Sequence, residues 1–144
     1  MREAINNSFL TMFILVFIIL MMLLVAGSLS YTKAFKVKNR ILNIIETRQT
    51  YNNSVAEEID NALLEMGYRV NIRNSQNCPT RRGALNNGSA LNAYGSNYRY
   101  CVYQYDSFKG PYFEVIAYMY FDIPIISSLL EIPVHGQTKV IYII

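Results

Sequence analysis

The chain has 144 residues, 52% of them hydrophobic, with 12 tyrosines, no tryptophan and a net charge of +3. That length suits one domain and an anchor and leaves no room for a second core. Its basic residues are dispersed, with Arg81 and Arg82 the only adjacent pair, whereas a nucleic-acid binder concentrates them on one face among aromatics, so no nucleic-acid partner is expected.

The first element is an anchor. No charged residue lies between Glu3 and Lys33, and Phe9 to Ala26 is apolar except for Thr11. As a helix this stretch rises about 27 Å, close to the roughly 30 Å hydrocarbon core of a bilayer. Phe9, Phe13, Val16, Phe17, Leu20 and Leu24 are spread around the cylinder, as contact with lipid or packed neighbours requires. Residues 1–31 are therefore read as a transmembrane anchor and 32–144 as the domain it carries. Two readings compete. A cleaved secretory signal has an apolar stretch of about 7–15 residues and a positive start; Ala26-Gly27-Ser28 fits its small-residue cleavage site, but the stretch is longer and Arg2 is offset by Glu3. A buried helix of a soluble protein would have to hide the whole cylinder in a small domain.

The helix does not stop at the membrane. Val37, Ile41, Ile44 and Ile45 recur at three- and four-residue steps as a packing stripe, with Lys36, Lys38, Arg40 and Glu46 turned away. One long helix is predicted from about Asn7 to Thr47, ended by Tyr51-Asn52-Asn53. Ser54 and Glu57 have the spacing of a capping box, and Glu57, Glu58 and Asp60 favour the positive end of a second helix. Its buried stripe is Val55, Ile59, Leu63 and Met66, and Gly67 is its left-handed stop.

Strands follow. Tyr68 to Arg73 alternates, and Asn74 to Asn97 reads as a surface loop rich in Asn, Gly, Ser and Arg, held at one end by Cys78. Tyr98 to Asp106 is a second strand and Pro111 to Phe121 the strongest, with Phe113, Val115, Ala117, Met119 and Phe121 facing one way and Tyr112, Glu114, Tyr118 and Tyr120 the other. A proline-bounded helical turn is expected over Ile123 to Ile132, then a last strand from Pro133 to Ile144. The fold class is α+β, two helices and an antiparallel sheet of about four strands.

Chemistry is sparse. His135, the single histidine, sits beside Gly136 with no acid spaced in sequence to orient it. Asp106, Glu114 and Asp122 read as solubilising charges at strand ends or outer faces. No phosphate loop or metal-ligand cluster is present, so no catalytic residue, metal or cofactor is expected. Cys78 and Cys101 permit one bridge, worth roughly 3 kcal/mol on the loop-entropy model in an oxidising compartment; in a cytosol they would be two thiols. The tyrosines between Tyr94 and Tyr120 suit either half-buried strands or an interface.

An apolar helix continuing as an amphipathic spine into a small antiparallel sheet resembles a type IV pilin or pseudopilin. Within that group, Glu114 to Ile126 and the Pro133 to Ile144 strand resemble the C-terminal pattern of TadE-like components of tight-adherence (Flp) pilus systems. The chain departs from prepilins in having no glycine before Gly27, and Ser8 stands where TadE-like chains often keep an acid. The resemblance implies a non-enzymatic, membrane-anchored subunit of a bacterial pilus or secretion assembly. Its implied partners are membrane lipid, other pilin-like subunits and further copies of the chain, and its domain would lie outside the cytoplasmic membrane. Lys33, Lys36, Lys38 and Arg40 oppose that orientation, since the positive-inside rule keeps such flanks cytoplasmic. The alternative function is a membrane-anchored extracellular binding or adhesion module that does not assemble.

Overall fold

No proline or cluster of turn residues interrupts the chain before Gln49, and in the computed structural model helix α1 runs unbroken over Arg2–Arg48. The structure describes residues 1–68, 78–92, 100–120 and 131–142. At 47 residues, α1 is about 70 Å long. It starts at Arg2 rather than near Asn7 because nothing among the first residues breaks a helix. Even Thr11 is satisfied internally, its hydroxyl donating to the Asn7 carbonyl at 2.8 Å. The helix ends where Gln49 turns left-handed (φ 56°) and its amide closes on the Ile45 carbonyl.

Helix α2 spans Asn53–Glu65. Its cap is Asn52 rather than Ser54: the Asn52 side chain accepts from the Val55 amide at 3.0 Å, satisfying one of the free N–H groups of the first turn. Val55, Ile59, Ala62 and Leu63 are buried, Met66 partly so, and Gly67 takes the left-handed stop at φ 61°.

Among the described residues the sheet has three antiparallel strands in the order β1-β2-β3: β1 Tyr100–Ser107, β2 Gly110–Tyr120 and β3 Glu131–Gln137. Four were expected. Of the Tyr68–Arg73 segment only Tyr68 is among the described residues, and the turn expected over 123–132 lies mostly outside them. Tyr68 is no ladder residue; its hydroxyl donates to the Tyr118 carbonyl and accepts from the Tyr118 amide. The last strand is also shorter than Pro133 to Ile144. The Thr138 hydroxyl takes the Phe113 amide while the Thr138 amide takes the Phe113 carbonyl, so a side chain replaces one rung and regular pairing ends. The chain nevertheless stays beside β2, with the Ile141 amide bonded to the Pro111 carbonyl. That approach requires Gly110, where a Cβ would collide with the Ile141 carbonyl.

The main core lies on one face of this sheet. Val37, Ile41, Ile44 and Ile45 of α1 and the α2 stripe pack on Tyr100, Val102, Phe113, Val115 and Ala117. Strand β3 runs along α1 away from its apolar half: Val134 packs on Ala34, Gly136 sits against Lys38 and Leu42, and the Lys139 amide bonds Glu46 at 3.0 Å. The β1–β2 turn therefore lies at the end of the domain farthest from the apolar half of α1.

Candidate functional site: the apolar helix and the outer sheet face

The N-terminal part of α1 is not buried against any other described residue. Phe9, Phe13, Val16, Phe17, Leu20 and Leu24 are all more than half exposed, and the most apolar stretch of the helix has no buried residue. By length and composition this is one candidate membrane span. Continuous contact with the domain begins at Ala34, the first fully buried residue. From there Val37, Ile41, Ile44 and Ile45, predicted as a packing stripe, are at most 6% exposed. The chain's own sheet and α2 take up that whole surface.

The opposite, outer face of the sheet carries Cys101, Tyr103, Tyr105, Glu114, Ile116, Tyr118 and His135, as strand alternation and the observed register require. Residues 78–92, expected as part of a surface loop held at one end by Cys78, cover much of it. Cys78 and Cys101 are disulfide-bonded, with Cα atoms 5.8 Å apart. Ala90, Cys101, Tyr103, Ile116 and Tyr118 form a second small core beneath the loop, with Cys78 and Ala84 against it. The loop also occupies the otherwise open edge of β1. Leu85 donates to the Gln104 carbonyl (2.8 Å), Leu91 to Val102 (2.7 Å), and the Asn92 amide group bridges Tyr100 and Val102. Along residues 100–104 the edge is thereby closed to strand addition. Gly88 lets the loop fold back, because a Cβ there would strike the Arg81 carbonyl.

This arrangement assigns the described strand tyrosines mainly to structure. Tyr100, Tyr103 and Tyr118 are buried, and Tyr103 donates to the Pro79 carbonyl, tying the loop to the sheet. Tyr105 and Tyr112 stack across the β1–β2 pair at 5.2 Å. Burial raises Tyr103 and Tyr105 to about 12, the Tyr105 shift reinforced by its bond to Glu114. Both phenols therefore stay neutral at physiological pH. Tyr94 and Tyr98 lie outside the described residues.

The reading of His135 and Glu114 needs correction. Glu114 is not an exposed solubilising charge but a buried carboxylate, 9% exposed in the middle of β2. It accepts from the Tyr105 hydroxyl at 2.9 Å and lies 3.2 Å from His135 Nδ1 and 3.8 Å from the Arg81 guanidinium. His135 thus has an acid beside it, brought from another strand. The same Nδ1 is 3.0 Å from Arg81. One nitrogen cannot serve both partners: a bare Nδ1 accepts from Arg81, whereas an Nδ1–H, in that neutral tautomer or in the imidazolium, donates to Glu114. A carboxylate-oriented imidazole is half of a general base. The other ring nitrogen, Nε2, faces Arg81 at 3.5 Å, and the described residues place no nucleophile on it. Both cysteines are oxidised. The cluster joins the loop to β1, β2 and β3, with Arg81 supplied by the loop.

A second polar group lies where α2 meets β1. The Tyr100 hydroxyl donates to Asp60 at 3.4 Å, and burial holds the Asp60 carboxyl above its ordinary value. Burial, and then the neighbouring Tyr51, raise Tyr100 as well. Among the described residues no three His, Cys, Asp or Glu side chains converge as metal ligands. Comparison with family models, with curated proteins and with solved structures gives no match.

Proposed function

We propose that this chain is a non-enzymatic, single-pass membrane protein whose domain serves as a pilin-like, TadE-like structural subunit of a bacterial pilus or secretion assembly. The observation that carries the reading is α1 itself, one unbroken helix that is apolar and bare in its first half and forms the spine of the domain core in its second. A simple tether needs no such continuity. A rigid spine transmits the position of the membrane span to the sheet, as an assembling subunit requires. The site chemistry is consistent with this role, because the polar side chains of the outer face bond one another and the loop. The disulfide supports an extracytoplasmic domain, since such bonds persist in oxidising compartments.

Crosslinking the native protein in its own membranes tests assembly. Higher species containing this chain or other pilus subunits are expected. Val16→Asn should alter them while leaving the domain folded, because a polar group in a span changes helix–helix association. Reporter fusions at Ile144 test orientation; a periplasmic reporter should be active and a cytoplasmic one silent.

One observation favours the second reading, an anchored binding or adhesion module that does not assemble. Val37, Ile41, Ile44 and Ile45 are taken up by the chain's own core, so they offer no apolar strip to a neighbouring subunit. Monomers alone in the crosslinking experiment would select that reading.

A further inference from the structure

The chain carries no acid between Glu3 and Glu46, yet Lys33, Lys36, Lys38 and Arg40 fall together just beyond the apolar stretch. Lys33, Lys36 and Arg40 are exposed, and their offsets of three and seven residues place them on one side of α1. None of the three is in an ion pair among the described residues, although Arg48, on the same helix, pairs with Glu58 at 2.9 Å. Lys38 behaves differently. Its stem is buried against Gly136, and its ammonium lies 4.1 Å over the Phe35 ring. Phe35 in turn stacks on Tyr31 at 6.3 Å, and both rings are about half exposed. Tyrosine rings are enriched at the membrane–water boundary, where an amphipathic ring sits at headgroup level.

Height along the helix decides what these cations meet. Lys33 lies about 10 Å beyond Ala26 at 1.5 Å per residue, and helical side chains tilt towards the N-terminus, here towards the bilayer. The polar layer on each side of the hydrocarbon is several Å thick. The Lys33 ammonium therefore reaches back to phosphate depth, while Lys36, about 15 Å beyond Ala26, and Arg40 stand above it, adding to the field within a Debye length.

We infer that Lys33, Lys36 and Arg40 form a binding stripe for anionic phospholipid headgroups, with Tyr31 and Phe35 fixing the depth at which α1 leaves the bilayer. The inference rests on the proposed membrane span but not on pilus assembly or orientation. It gives the basic flank a role on whichever side of the membrane the domain lies. The stripe turns away from the core, and only Arg40 has acids near it, sharing a surface hollow with Glu57, Glu58 and Glu65 of α2, so lipid phosphates supply the counter-charge that Lys33 and Lys36 lack among the described residues.

The full chain is reconstituted into vesicles of phosphatidylcholine alone and of phosphatidylcholine with phosphatidylglycerol. Flotation with both compositions reports the span; failure to float with either would remove the span and this inference with it. Electron-spin resonance of spin-labelled phosphatidylglycerol and phosphatidylcholine then reads headgroup preference at the protein boundary. The wild-type chain should favour phosphatidylglycerol by about five-fold or more, a preference that weakens in high salt. Lys33→Gln, Lys36→Gln and Arg40→Gln combined should bring the ratio close to one, with flotation and circular dichroism unchanged. Glycerol phosphate in solution should not compete at millimolar concentration. Equal affinity for the two lipids in the wild-type chain would overturn the inference, as would a preference that survives the triple substitution. Competition by free glycerol phosphate would show a phosphate-ester site in place of a lipid one.

Discussion

The inner face of the sheet is closed by two helices and the outer face by a loop, and the two closures rest on different physics. Inside, Val37, Ile41, Ile45, Ile59 and Leu63 are all aliphatic, with side chains that make no hydrogen bonds; area removed from water does the work. Outside, residues 78–92 bring few apolar groups. They are held by the disulfide, by backbone bonds along the β1 edge and by the Arg81, Glu114, His135 and Tyr105 cluster. A regular element can bury a continuous stripe, whereas an irregular segment must be fastened at points. Perturbing the first should therefore lower stability globally, and perturbing the second should free the loop first.

The largest effect is expected on the inner face. Ile41 is fully buried between α1 and the sheet. Ile41→Ala removes its methyl and methylene groups and leaves a cavity, costing about 3–4 kcal/mol. Denaturant unfolding of the full chain in detergent, followed by circular dichroism, should show one transition moved to lower denaturant. A loss confined to the loop would contradict a single inner core.

Next comes the fastening of the outer face. Cys78→Ser with Cys101→Ala should cost roughly 3 kcal/mol by lengthening the unconstrained chain. Hydrogen exchange distinguishes this from the first case. The Leu85 and Leu91 amides, which bond across to β1, should exchange faster under native conditions, while those of the β1–β2 ladder stay protected. Alkylation of native, unreduced protein should label neither cysteine.

The helices were legible in the sequence because their signals are local. Apolar residues three and four apart forecast both buried stripes, and Gly67 marked the end of α2 where it lies. The alternation of β2 likewise assigned Phe113, Val115 and Ala117 to one face. The outer site was hidden for a geometric reason. Glu114 and His135 are 21 positions apart, and only the β2–β3 register, pairing Ile116 with His135, sets them side by side. Arg81 arrives from a loop whose composition carries no periodicity at all. A charged residue in the centre of the most apolar strand was the one available hint that Glu114 had a partner. The Asn52 cap was missed because two residues of good capping chemistry lie two positions apart, and Ser54 also had an acid at the right spacing.

That cap gives the third prediction. Asn52→Ala should cost about 1 kcal/mol, because the Val55 amide loses its acceptor at the start of α2. Ser54→Ala should cost a few tenths at most, since Ser54 is already inside the helix. Paired thermal melts of the two variants decide between them. A larger loss from Ser54→Ala would restore the capping box.

The smallest expected effect lies at the seam between α2 and β1, and its sign separates burial from bonding. Asp60 accepts from the Tyr100 hydroxyl, which favours the carboxylate, but burial disfavours it more strongly, and the carboxyl stays above its ordinary value. A raised folded-state value means that the native protein holds this proton more tightly than the unfolded chain. Asp60 therefore lowers stability as pH rises from the unfolded value of about 3.9 through the folded one, and above both the loss is constant. Asp60→Asn removes the titration while keeping an oxygen for Tyr100. Its midpoint should exceed that of the parent at neutral pH, by about 0.5 kcal/mol or less because Asp60 is largely solvent-screened. The advantage should shrink as pH falls towards the unfolded value, where the parent carboxyl is itself neutral. If Asp60→Asn were instead less stable at neutral pH and equal to the parent in acid, the charged bond to Tyr100 would outweigh burial, and the seam would be held by that bond.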